Sequence, residues 1–253
     1  PRLISDSGIQ VPSLVEPVVL RVLGDSSGPG ILVQGRALAA TATRNGDVIV
    51  YAGFDSDATP VQVFRGDSIL RVVGRNGQGP GEFDFVQHIA FDEASKRIWV
   101  ADAARLVSFE ADGSPGPGGR SQVAGPYPGD IAVLPDGSIL VSGPGSTPAN
   151  LGFLLHRFDP ARGRWSSHHP LLQRQSFNVV EDRHEWSRRL VVSPSGRVVA
   201  LSPGYLIEEL QWDPPGDLHF VRQTHRKPRG WPLDLDAAYQ KWSRDPWAGP
   251  PPT

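Results

Sequence analysis

Four glycines, Gly74, Gly77, Gly79 and Gly81, crowd the segment VVGRNGQGPGEF, and such crowding raises the chemistry of phosphate binding. A dinucleotide loop needs Gly-x-Gly-x-x-Gly between a strand and a helix, so that helix amides face the pyrophosphate. Here Pro80 removes one amide, and Glu82 stands where the third glycine belongs. Its carboxylate repels phosphate. The following FDFVQHIAF reads as strand, which leaves no helix dipole to assist. No Gly-Lys-Ser/Thr is present either. The segment is therefore expected to be a turn between sheets, with Phe83 and Phe85 packing between neighbours.

Other reactive groups are sparse. Cysteine is absent, which excludes disulfides, thiolate chemistry and Cys-ligated zinc. Nucleophilic catalysis is not expected. His156, His168, His169 and His184 cluster in sequence, and converging imidazoles bind zinc or copper. The SSHHP stretch nevertheless reads as a polar connection, and neighbours on a strand point to opposite faces. These histidines are expected in exposed loops. DSDATP (55–60) lacks the ligand order of a calcium hand and reads as a solvated loop.

The elements that would position any site follow from repetition. Four segments share an apolar stretch, a short polar turn and a second apolar stretch: ALAATATRNGDVIVYAG, QHIAFDEASKRIWVAD, GDIAVLPDGSILVSG and RRLVVSPSGRVVALSPG. Asn45-Gly46, Asp136-Gly137 and Ser195-Gly196 supply the positive φ of a tight hairpin, and Ala94-Ser95-Lys96 fills the same place in the second. Aligning Val48, Ile98, Ile139 and Val198 gives steps of 50, 41 and 59 residues, the length of one four-stranded propeller blade. Further Val/Ile/Leu/Phe-rich runs supply the remaining strands, and no helical period appears before residue 233. An all-β fold follows: a single β-propeller over residues 1–253 with four-stranded antiparallel blades, an ordinary β-sandwich being the alternative.

GRNGQGPGEFDFVQHIAFDEASKRIWVADAARLVSFEADG resembles an NHL-type repeat, with its Gly-rich turn, Gly-Glu-Phe, hairpin, Val-Ala-Asp and closing Asp-Gly. From about residue 14 to 247 the chain is similar to six-bladed propeller proteins of bacterial secretomes, most without assigned function. The other repeats match in pattern only; Val-Ala-Asp ending at Asp102 has no counterpart in them. The resemblance implies six blades, which need more chain than is present. The expectation is then a chain cut short near GPPPT, closure with five blades, or completion of the last blade by PVVLRVLG (17–24). It also implies that ligands sit over the central channel, where Asp or Glu at strand ends can hold calcium. Asp102, Asp130 and Glu185 are the metal candidates on this view, with His88 near the same level. Gluconolactonase-type propellers use a Glu, Asn and Asp set there, and no such set aligns in this chain. Asp102 has the competing role of capping a turn.

Bulk properties bound the partners. A net charge of −2 gives no field that recruits nucleic acid or an anionic membrane. No apolar run reaches the length of a membrane span. Methionine is absent, even at position 1, as a cleaved export signal would leave it. A periplasmic or extracellular setting is the expectation.

Residues 223–253 depart from the blade pattern. LDLDAAYQKWSR fits a short helix with Leu235, Ala238, Tyr239 and Trp242 on one face. Arg229, Trp231, Tyr239, Trp242 and Trp247 are candidates for partner binding, since Trp and Arg dominate hot spots; the alternative is packing on the propeller itself. The functional expectation is a non-catalytic, protein-binding scaffold, an extracytoplasmic accessory subunit of a larger or membrane-associated complex. No cofactor is expected, calcium being the open exception. A calcium-dependent lactonase or hydrolase is one alternative. A carbohydrate-binding module presenting Trp99, Trp165 or Trp186 is the other.

Overall fold

The computed structural model describes residues 39–51, 61–102, 105–116, 121–122, 129–143, 153–170, 188–201, 206–213 and 217–225. These residues form strands and turns, and among them there is no helix. Four sheets of four antiparallel strands follow one another along the chain. The first holds β1 (Ala39–Ala42), β2 (Val48–Tyr51), β3 (Val61–Arg65) and β4 (Ser68–Val73). A parallel pair, β5 (Arg75–Asn76) and β6 (Glu82–Phe83), closes the glycine-rich turn. The second sheet contains β7 (Val86–Asp92), β8 (Arg97–Asp102), β9 (Arg105–Phe109) and β10 (Ser121–Gln122). The third has β11 (Asp130–Val133), β12 (Ile139–Ser142), β13 (Phe153–Asp159) and β14 (Arg164–Pro170). The fourth has β15 (Arg189–Val192), β16 (Arg197–Leu201), β17 (Leu206–Asp213) and β18 (Asp217–His225).

Each sheet is a simple meander, and the first hairpins share one turn chemistry. In sheets one, three and four a glycine amide bonds back three residues, Gly46 to Thr43, Gly137 to Leu134 and Gly196 to Ser193. Those glycines sit at φ of 83°, 80° and 83°, a region that costs a side chain energy. In sheet two Lys96 takes the same role at φ 59°.

Side-chain alternation explains how the sheets stack. Along β8, Ile98 and Val100 pack toward sheet one with Ile49, Val63 and Phe109, while Trp99 and Ala101 pack toward sheet three with Ile131, Ile139 and Phe158. In β12, Ile139 and Val141 face sheet two, and Leu140 faces sheet four with Leu155, Val198 and Leu210. A strand covered on both faces must be apolar at every position, which is why β8 and β12 read as unbroken hydrophobic runs rather than alternating ones. The first strands β1, β7, β11 and β15 pack in that order. Successive meanders stacked face to face with their first strands gathered together are arranged as propeller blades are.

The glycine-rich turn holds no cradle for phosphate. Its anion seat is filled by the chain's own Glu82, whose carboxylate accepts the Gly79 amide and pairs with Arg75. A Cβ at Gly77 would lie 2.2 Å from a Glu82 carboxylate oxygen. Phe83 is buried against Tyr51 and Phe109, as expected. Phe85 is not packed between sheets: it is 46% exposed. The alternation breaks because Asp102 draws in the amides of both Asp84 and Phe85, turning the chain before β7 starts.

Candidate functional site

One rung of the fold gathers charge. Counting from the pairs made by Ile98, Ile139 and Val198, His88, Asp130 and Arg189 each occupy the fourth cross-strand pair of their sheet, opposite Ala101, Ser142 and Leu201. Ala39 opposite Tyr51 is the equivalent position in sheet one. Equivalent positions on successive blades face the same place, so three polar side chains from three sheets converge at one level. They border a cavity of about 470 Å³ whose walls are the first strands of all four sheets. Below the rung the lining continues along the first strands, past Ile89, Ile131 and Leu190.

Asp130 is the fixed member. Its Oδ1 accepts the amide of Ile131 at 2.9 Å, and its Oδ2 accepts the amide of Leu190, in the next sheet, at 2.8 Å. His88 Nδ1 lies 3.3 Å from Asp130 Oδ1 and 3.2 Å from Arg189 Nη1. A guanidinium only donates, whereas Nδ1 donates or accepts according to tautomer. Nδ1 therefore serves one neighbour at a time: as acceptor it takes Arg189, as donor it gives to Asp130. Arg189 itself is exposed. The arrangement is one of directional polar contacts in which two backbone amides hold Asp130 and Arg189 lines the cavity as a donor.

The other expected residues are dispersed. Asp102 is fully buried at the end of β8, binding the Asp84 and Phe85 amides and Arg105. Its neighbour Tyr51 has its hydroxyl pKa raised, chiefly by burial and then by the Asp102 charge. Glu185, Arg229, Trp231, Tyr239, Trp242 and Trp247 lie outside the described residues. Of the stretch 223–253, residues 223–225 end β18 and the rest is likewise outside. Among the described residues no three His, Asp or Glu side chains come together as a metal set.

Two sequence expectations need correction. His156 is no loop residue: it is buried in β13, with Nε2 3.0 Å from the Gly143 carbonyl. SSHHP is not a connection but the end of β14, paired along β13. The exposed-aromatic reading fails at Trp99, which is buried edge-on against Phe158, itself tilted against Trp165 with ring centroids 5.0 Å apart.

Arg189 was missed, although the signal lay in the repeat. Nine residues before Val48, Ile139 and Val198 stand Ala39, Asp130 and Arg189, and the longer turn of sheet two moves its member to ten residues before Ile98, at His88.

No family model matches this chain, and no curated protein does. Solved structures resemble it in fold. A Bacteroides fragilis protein described as exported superposes with a TM-score of 0.56 at 15% identity, covering 81% of this chain and 56% of that one. A member of the DUF4221 family from Bacteroides vulgatus gives 0.53 at 13% identity, covering 77% and 59%. A functionally unknown protein of Desulfotomaculum acetoxidans gives 0.52 at 16%, covering 76% and 57%. The chain thus spans under two thirds of the length of these structures. The likeness is one of fold. No described helix is long and apolar enough to cross a membrane.

Proposed function

We propose that this chain is a non-catalytic binding propeller of the six-bladed, NHL-like kind that works outside the cytoplasm as an accessory subunit of a larger assembly. Its recognition surface is the face on which the first strands begin, around His88, Asp130 and Arg189. The observation that carries this reading is the state of Asp130. Two backbone amides occupy its carboxylate, so it acts as a clamp that fixes the rim rather than as an open ligand for metal or a base for water. A rigid rim bearing an exposed guanidinium suits recognition of a partner's polar groups, because little ordering entropy is lost when a preset surface binds. The likeness to a protein described as exported supports the extracytoplasmic setting.

The test is native mass spectrometry of the protein taken from its source, combined with photo-crosslinkers placed at position 189 and, as control, at position 45 on the hairpin face. A defined companion crosslinked from 189 and not from 45 is the expected result. A solitary chain that carries stoichiometric calcium and hydrolyses lactones would replace this reading with the hydrolase.

A further inference from the structure

Between the first and second sheets, at the hairpin end, lies a second and smaller cavity of about 150 Å³. It is remote from the channel rung and stands independently of the function proposed above. Its floor is built from the sheet-to-sheet core: Ile49, Val63 and Ile98 are each at most 3% exposed, and Phe91 packs against them. Three cations line it, Arg65, Arg71 and Lys96, against the single carboxylate of Asp47.

These cations are not equivalent. Arg65 holds Asp47 through two parallel bonds of 2.8 and 2.9 Å, filling the carboxylate's fork. Those bonds, outweighing burial and aided by the charges of Arg65 and Arg71, hold the Asp47 carboxyl below its ordinary range. Lys96 is paired with Glu93 at 2.8 Å. Arg71, half-buried and opposite Val63, makes no hydrogen bond or ion pair among the described residues. The other acid whose charge it feels, Asp112, is committed to Ser114 through bonds to its amide and hydroxyl. A guanidinium presents five donors in a planar fork, and half-burial beside apolar walls leaves fewer water molecules to satisfy them.

We infer that this cavity is a binding site for a small aliphatic carboxylate, its oxygens in the fork of Arg71 and its hydrocarbon end on the Ile49, Val63 and Ile98 floor. The volume is the liquid share of roughly five waters, which fits a chain of a few carbons. Guanidinium and carboxylate match geometrically. The apolar floor sets the class, because it favours a ligand with carbon to bury over a fully hydrated oxyanion such as phosphate.

The probe is propionate, titrated at constant ionic strength into arginine-labelled protein, with the Nε–Hε resonance of Arg71 followed by NMR. A saturable shift confined to Arg71 and its neighbours is expected. Inorganic phosphate should bind more weakly, R71K about tenfold more weakly for propionate, and R164Q as the wild type does. Uniform drift of all arginine signals, equal binding by R71K, or phosphate binding as tightly as propionate would each overturn the inference. Retained hairpin-turn amide shifts in R71K separate lost binding from lost structure.

Discussion

The carboxylate of Asp130, first residue of the third sheet, accepts the backbone amide of Leu190 in the fourth at 2.8 Å. Neighbouring sheets share no strand ladder; across this seam they meet by side-chain packing, here Leu134, Leu140 and Leu155 against Leu190, Val198 and Leu210, and by directional bonds that include the one from Ser142 Oγ to the Arg188 carbonyl at 2.6 Å. Directional bonds across that seam fix rotation that apolar contact leaves soft. The same carboxylate lies 3.3 Å from His88 Nδ1, so the stacking of two sheets and the polar rung meet at one side chain.

Removing it should therefore cost more than one hydrogen bond. Asp130→Ala leaves the Ile131 and Leu190 amides without their acceptor, and we expect a loss of about 2–4 kcal/mol in urea unfolding, from two unsatisfied donors at ~1–3 kcal/mol each where water does not fully replace the bond. Asp130→Asn keeps a carbonyl for one amide and should lose about half as much. Equal costs for the two variants would show that charge, not amide capture, is what matters.

The tautomer of His88 follows from its neighbours. While Arg189 donates to Nδ1, the proton of the neutral ring sits on Nε2. Nitrogen-15 chemical shifts of the His88 ring should show an unprotonated Nδ1, and Arg189→Gln should weaken that preference. A protonated Nδ1 in the neutral ring would place the contact with Asp130 instead.

Two turn glycines at positive φ separate strain from collision. Gly163, at φ 60°, has open space where a Cβ would go, whereas a Cβ at Gly196, at φ 83°, would meet the Trp212 carbonyl at 2.7 Å. Gly163→Ala should cost about 1 kcal/mol, from backbone conformation alone. Gly196→Ala adds a backbone clash and loosens the bond from the Trp212 amide to the Gly196 carbonyl, so a loss of at least about 2 kcal/mol is expected. Thermal unfolding of both variants reads the difference.

Acid should weaken the fourth sheet through Glu209. Burial alone would raise its pKa, but hydrogen bonds from Arg222 and Arg197 outweigh burial and hold it below the ordinary 4.5. With the folded value depressed, its contribution is complete above the unfolded pKa and is lost as pH falls through the folded one. Asp47 and Asp159, each held low chiefly by an arginine hydrogen bond, act with the same sign from an ordinary 3.8. Unfolding midpoints should stay level near neutrality and fall from about pH 4.5 downward. Glu209→Gln should flatten the upper part of that decline.

Much of the blade was legible in the chain. Asn45-Gly46, Asp136-Gly137 and Ser195-Gly196 announced hairpins because few residues other than glycine accept their φ, and unbroken runs such as Ile98–Ala101 announced strands covered on both faces. Phe85 was not legible, because its orientation depends on Asp102, a residue seventeen positions away that captures its amide. His156 misled for a similar reason: a polar residue type suggested a loop, while the carbonyl of Gly143, across the β12–β13 connection, satisfies it inside the sheet.

The candidate rung divides along the same line. Sequence alone set the strands, their turns and the repeat spacing that places His88, Asp130 and Arg189 at equivalent rungs, since backbone conformation and hydrophobic alternation are local properties. Only the tertiary structure decided that these three meet around one cavity and that Asp130 spends its carboxylate on amides of two sheets. Residues 101 positions apart, His88 and Arg189, touch because sheets stack, and stacking is settled by the fit of whole faces, which no short stretch of chain contains.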